Sequence, residues 1–197
     1  MKKRIYVKRS FWFSVKRLFL FALGLPLLWL ISKIWCRWRV KGQVNLRSLN
    51  RKGCVVVVNH CHAMDSVITM LGLLPRYARI TTIAANSELK VVGKIMRNAG
   101  CVPIPTDFRG LKQMTDEVID EAQKGGTVIF FPEGHLIKDC AELREFKNGA
   151  FKVAQRAGVP VVPAAISYTA DKRGKRLRYT LNIGEPIESK DRPRAYL

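Results

Sequence analysis

The hydrophobic positions of this chain fall into two regimes. From Phe11 to Arg39 charge is sparse and Trp, Phe and Leu dominate, with an uncharged run from Leu18 to Ile31. Beyond about Lys41 short apolar runs alternate with stretches of helical period, the signature of α/β architecture. Cys54 to Asn59 reads CVVVVN, a continuous β-branched run that predicts a strand buried on both faces. Further strands are expected at Ile80 to Ala84, Val102 to Ile104, Thr127 to Phe131, Val159 to Tyr168 and Arg178 to Ile183, the fifth of these six strands interrupted by Pro160 and Pro163. Helices are expected over Asp65 to Leu74, Ser87 to Asn98, Leu111 to Lys124 and Gly149 to Ala157, with glycines at 100, 125, 126 and 158 as stops. No internal repeat or low-complexity linker interrupts this order. The pattern predicts an α/β domain over residues 41–197, a mixed sheet flanked by helices, preceded by a basic and apolar segment over residues 1–40.

The segment invites several readings. Its uncharged run is 14 residues long, short of the roughly 20 that span a bilayer at about 1.5 Å per residue, unless Lys33 snorkels. Trp12, Trp29, Trp35 and Trp38 stand near the ends of the run, where amphipathic rings favour the headgroup level, and basic residues flank both sides. An interfacial anchor and a tilted span both fit this pattern. A cleavable signal fits less well, because KIWCRW follows the run where a small-residue cleavage site is needed. A buried core helix would have to hide Lys16 and Arg17 or turn them outward, and Pro26 would kink it.

Charge narrows the partners. Lys and Arg number 35 against 15 Asp and Glu, a formal net charge of +20, so the surface attracts polyanions. The basic residues are spread throughout while the aromatics concentrate in the N-terminal segment, which argues against nucleic acid as partner and for anionic lipid. The basic run Lys172, Arg173, Lys175, Arg176 and Arg178 reads as a solvated hairpin turn, or as a face toward headgroups or an acidic carrier protein. Five scattered cysteines without a CxxC pair fit a reducing, cytosol-facing compartment. Cys61, His62, His135 and Cys140 show no established ligand spacing, so no metal is expected, and His62 reads as a solvated loop residue.

The sharpest chemistry lies in NHCHAMD, residues 59–65, where a buried strand gives way to a helix. Side chains at such strand ends project into a crevice. A tight turn can bring the Asp65 carboxylate to one imidazole nitrogen of His60, fixing the tautomer and freeing the other nitrogen as a general base. Ser66 adjoins the pair, but the chain holds no GxSxG elbow, so the nucleophile is better sought in a substrate hydroxyl. A developing oxyanion needs donors, for which backbone N–H groups near this turn are the first place to look.

With these blocks in view, the chain resembles the 1-acylglycerol-3-phosphate (lysophosphatidic acid) acyltransferase family over about residues 40–185. NHCHAMD fits that family's NHxxxxD block, and GCVPIP, residues 100–105, with Arg109 loosely fits its second. FPEGH at 131–135 fits the third, VPVVPAAI at 159–166 the fourth, and FKNGA at 146–150 stands between them as in the family. The resemblance implies a glycerol-3-phosphate acyltransferase-like fold, with His60 as general base and Asp65 as its orienter. It implies an acceptor site at Phe131, Pro132, Glu133 and Gly134, with Arg109 as a phosphate contact suited by its fork of donors. The acyl group would come from an acyl carrier protein or coenzyme A thioester, with no further cofactor, and the acceptor would be a membrane lipid. The place implied is the cytoplasmic face of the cytoplasmic membrane.

Two departures touch the acceptor side. His135 and Leu136 replace the usual Thr-Arg of FPEGTR, and Phe108 separates Asp107 from Arg109 where the family commonly has them adjacent. The resemblance therefore leaves the acceptor open to other hydroxylated lipids. Glu133 also admits a structural reading as a carboxylate beside a helix N-terminus.

Overall fold

The computed structural model describes residues 4–137, 142, 144–170 and 177–189. The basic run from Lys172 to Arg176 and Cys140 lie outside them, as does the side chain of Trp35. The strands are β1 (Arg39–Lys41), β2 (Cys54–Val58), β3 (Ala78–Ile83), β4 (Val102–Ile104), β5 (Thr127–Phe130), β6 (Val161–Ala170) and β7 (Leu177–Ile183). They form one sheet in the order β1-β7-β6-β2-β5-β3-β4. Every neighbouring pair is parallel except β6 with β7. The mixed α/β sheet expected from the sequence is thus the observed one.

β2 lies inside the sheet between β6 and β5, and all five of its residues are buried. Because side chains alternate across a strand, Val56 and Val58 pack into one apolar cluster and Val55 and Val57 into the other. The first cluster takes Ile68 and Leu71 from α3 (Asp65–Gly72) and Leu46 from α2 (Gln43–Arg47). The second takes Met114, Val118 and Ile119 from α6 (Phe108–Gln123) and Val153 and Ala154 from α7 (Gly149–Ala157).

Element boundaries shift for local reasons. α6 starts at Phe108, three residues before Leu111, because the Asp107 carboxylate accepts the Gly110 N–H at 2.7 Å and caps it. The helix expected from Ser87 to Asn98 is two, α4 (Ala84–Glu88) and α5 (Val92–Ala99), broken where Leu89 adopts an extended ψ of 131°. β6 is continuous through Pro163, since β7 ends at Ile183 opposite Ala164 and leaves that proline beyond the last rung of their ladder.

α1 runs from Phe11 to Cys36, capped by the Ser10 hydroxyl accepting the Phe13 N–H at 3.2 Å, and continues through Pro26. Its Phe11–Ile34 stretch is long and apolar enough to cross a bilayer, and little of it is buried. The helix packs against α3 and α5 along one side. Trp12 and Trp29 are exposed as the anchor reading expects, but Trp38 is buried in the first cluster. Lys33 turns onto it, 4.3 Å from the ring, and donates to the Trp38 carbonyl at 2.9 Å, so it does not extend outward.

The segment over residues 1–40 is also tied to the rest of the chain. The N–H groups of Tyr6 and Val7 both donate to the Glu117 carboxylate at 2.8 Å, and Arg9 ion-pairs with Asp120 and Glu121. Glu121 also holds the buried Arg79 at 2.9 Å, and Arg79 donates to the Lys8 carbonyl at 3.0 Å. Burial works against the Glu121 carboxylate, but the two guanidiniums outweigh it and hold its pKa below the ordinary range. The sheet itself begins at Arg39, where β1 joins β7.

Candidate active site

β2 ends because Asn59 closes it. Its side chain donates to the Ile166 carbonyl at 3.0 Å and accepts the Ile166 N–H at 2.7 Å, replacing a rung of the β2–β6 ladder. The main chain is thereby free to turn, and His60 emerges at the carboxyl end of β2 above the sheet.

The turn folds back on Asp65, the first residue of α3, which is wholly buried. Its Oδ2 accepts the Cys61 N–H at 2.8 Å and the His62 N–H at 2.7 Å, and lies 3.2 Å from His60 Nδ1. Its Oδ1 accepts the Tyr168 hydroxyl at 2.6 Å. Burial, and then the neighbouring carboxylate, push the Tyr168 phenol well above its ordinary range, so it remains an O–H donor. Asp65 thus sits in a complete cage of donors. The pairing fixes the proton of His60 on Nδ1 and leaves Nε2 without a partner among the described residues.

The same cage narrows one expectation. The amides of Cys61 and His62 are engaged by Asp65, and Met64 N donates to His62 Nδ1 at 3.1 Å. These N–H groups of the turn are therefore not free to meet an oxyanion. His62 is not a solvated loop residue: its ring packs 5.3 Å from that of Tyr179 and its Nδ1 holds the turn.

FPEG follows β5, and the register that sets Phe130 beside Val57 brings it to the His60 turn. Phe131 stacks on the His60 ring at 4.2 Å and 25°. Pro132 and Glu133 are buried behind it. Gly134 has φ +83°, in the left-handed region that favours glycine; a Cβ there would meet only the movable end of the Lys147 side chain, so the requirement comes from the backbone. Glu133 caps none of the described helices; its carboxylate is ion-paired with Arg144. That arginine also donates to the carbonyls of His60 at 3.0 Å and His135 at 2.9 Å, so one guanidinium joins the two motifs.

Of the residues expected at the site, His60, Asp65 and Phe131 to Gly134 are brought together. Arg109 is not in contact with them. It is exposed in the first turn of α6, past the end of β4, three strand spacings from β2, or roughly 14 Å at about 4.8 Å per strand. Among the described residues no group of three or more His, Cys, Asp or Glu is placed to hold a metal ion. Asn59, Arg144 and Tyr168 are the participants that sequence reasoning missed. Only Asn59 carried a signal, as the first letter of NHxxxxD.

The arrangement defines a class: an α/β domain with an Asp-paired histidine at the carboxyl end of an inner strand. Comparison with known proteins supplies the family. A family described as acyltransferase matches residues 37–167, and the chain belongs to that family. A chloroplastic 1-acyl-sn-glycerol-3-phosphate acyltransferase, BAT2 of Brassica napus, is 34% identical over 148 residues, covering 71% of this chain and 42% of the plant protein. The chain likewise spans 40% of the length of the chloroplastic enzyme LPAT1 of Arabidopsis thaliana, at 32% identity. The 1-acyl-sn-glycerol-3-phosphate acyltransferase of Bacillus subtilis is 27% identical, covering 71% of this chain and 69% of the relative. The crystal structure of PlsC, the 1-acyl-sn-glycerophosphate acyltransferase of Thermotoga maritima, superposes with a TM-score of 0.60 over 93% of this chain and 88% of its own, at 20% identity, a likeness of fold.

Proposed function

We propose that this chain transfers a fatty acyl group from an acyl carrier protein or coenzyme A thioester to the hydroxyl of a lysophospholipid, with 1-acylglycerol-3-phosphate as acceptor. The observation that carries the reading is the His60–Asp65 pair, buried on the carboxylate side and partly open on the imidazole side, where the His60 side chain is 18% exposed. His60 Nε2 takes the hydroxyl proton as the oxygen attacks the thioester carbonyl. A C–O bond forms, the C–S bond breaks as the tetrahedral species collapses, and His60 returns the proton to the departing sulfur. No enzyme nucleophile and no cofactor are needed.

Phe131 to Gly134 form the wall against which the acceptor lies, Glu133 acting through Arg144 and not by direct contact. Arg109 reaches from its place on α6 toward the acceptor phosphate; Arg109→Ala then raises KM for phosphate-bearing acceptors and leaves kcat nearly unchanged, and an unmoved KM counts against that role. Residues 41–197 form the catalytic domain, and residues 1–40 hold it, through α1, at the cytoplasmic face of the cytoplasmic membrane. A different lipid acceptor is favoured by two observations: Asp107 is spent capping α6, and His135-Leu136 stand where the family carries Thr-Arg.

The test is acyl transfer by the purified full chain in vesicles, with both thioester types against a panel of lysolipids, beside His60→Ala. Product lost in the variant supports the reaction and names the acceptor. Product that persists in folded His60→Ala removes the general-base reading.

A further inference from the structure

The corner between α4 and α5 exposes an apolar surface that the fold leaves uncovered. Leu89 is 52% exposed, Val91 70%, Val92 52% and Ile95 49%. Lys90 and Lys94 are interleaved with them and exposed, so apolar side chains alternate with long cationic ones. A soluble surface seldom gathers apolar groups this way, whereas a bilayer interface accepts both: the apolar groups enter the acyl boundary and the lysines reach the headgroups.

Two features select the occupant. First, α5 packs directly against α1, whose own exposed residues include Leu18, Leu23, Leu27 and Ile31, so the corner extends the uncovered apolar side of that helix. Second, the corner follows β3 at its carboxyl end, the end of the sheet at which His60 leaves β2. A surface that seats both α1 and this corner therefore lies beside the catalytic crevice.

We infer that the α4–α5 corner is a second membrane contact, inserting Leu89, Val91, Val92 and Ile95 into the anionic leaflet that holds α1, with Lys90 and Lys94 on its headgroups. The inference rests on the membrane reading of α1 and is independent of the reaction. Its consequence is orientation: one helix fixes depth but allows the domain to swivel, and a second contact turns the His60 crevice toward the lipid surface.

The experiment uses the full chain in vesicles of phosphatidylethanolamine and phosphatidylglycerol at three to one, with no thioester present. The photoreactive residue p-benzoylphenylalanine replaces Val91 in one preparation, Leu23 of α1 in a second, and the exposed Arg156 at the far end of α7 in a third; lipid adducts are counted by mass spectrometry. Adducts at position 91 approaching those at 23, and several-fold above those at 156, are expected. Lys90→Glu with Lys94→Glu lowers the yield at 91 several-fold and leaves that at 23 unchanged. Yield at 91 no higher than at 156 while 23 reacts overturns the inference, as do protein dimers trapped at 91 in place of lipid. Failure at both 23 and 91 removes the membrane reading of α1 as well, while leaving the acyl-transfer assay to decide the reaction.

Discussion

Tyr168→Phe isolates the contribution of a residue whose hydroxyl is engaged by Asp65. The substitution deletes the O–H that donates to Asp65 Oδ1 at 2.6 Å and leaves the ring and its packing against Tyr179 at 4.8 Å in place. A buried carboxylate that loses one donor is under-solvated by about 1.5–3 kcal/mol. Oδ2 keeps its donors from Cys61 and His62, so the lower end applies, about 1.5 kcal/mol. Felt in full at the transition state, that lowers kcat roughly tenfold. Felt in folding, it lowers Tm by roughly 3–6 °C for a chain of this size. The assay is thiol release from the acyl thioester, with kcat and KM separated for both substrates, beside thermal unfolding. KM is expected to stay put, because the hydroxyl faces Asp65 and not the crevice. Since Tyr168 stays protonated, the ratio of wild-type to variant kcat is also expected to be constant up to about pH 10, where an ordinary tyrosine ionises. Unchanged kcat in the folded variant refutes the reasoning, and so does a ratio that collapses toward one at alkaline pH.

Other expectations follow from the same contacts. Arg144→Met strands the buried Glu133 and frees two motifs from each other; a loss of about 3–5 kcal/mol is expected in denaturant unfolding, and Arg144→Lys restores little because one ammonium cannot reproduce the planar fork. Gly134→Ala places a side chain at φ +83° at a cost of about 1–2 kcal/mol, and kcat should fall as the turn under His60 shifts. Glu121→Gln leaves Arg79 buried without its carboxylate and should cost about 3 kcal/mol at neutral pH. The lowered pKa of Glu121 means that its contribution is present above the unfolded-state value and is lost as pH falls through the folded one. The stability gap between wild type and Glu121→Gln, measured in denaturant, should therefore close in acid.

What the sequence reveals and what it hides follow from the range of the interactions. CVVVVN is legible because burial on both faces writes itself into consecutive residues, and His60 with Asp65 is legible because a single turn joins them. Tyr168 and Arg144 are not, because each meets its partner across a long separation in the chain that only strand order closes. β1 is three residues long and carries no period from which a strand can be read. Trp38 looked like a headgroup residue from its neighbours, but the return of the chain into the sheet decides its place. Arg109 illustrates the converse: its motif puts it on the correct end of the sheet without saying how many strands away.

The pairing of β1 with β7 sets Arg39 opposite Thr180. Contacts so distant along the chain form late, because their loop must be closed first. On a ribosome, α1 and the strand that follows it are made long before β7 exists to receive them. The apolar helix therefore meets its environment while β1 still lacks its partner, and that partner is made only after β2 to β6. β7 thus adds the last of several ties between the helix and the sheet, after the contacts of Tyr6, Val7 and Arg9 with α6 have had their chance to form. The edge beside the helix closes after the strand that leads to His60 has been made.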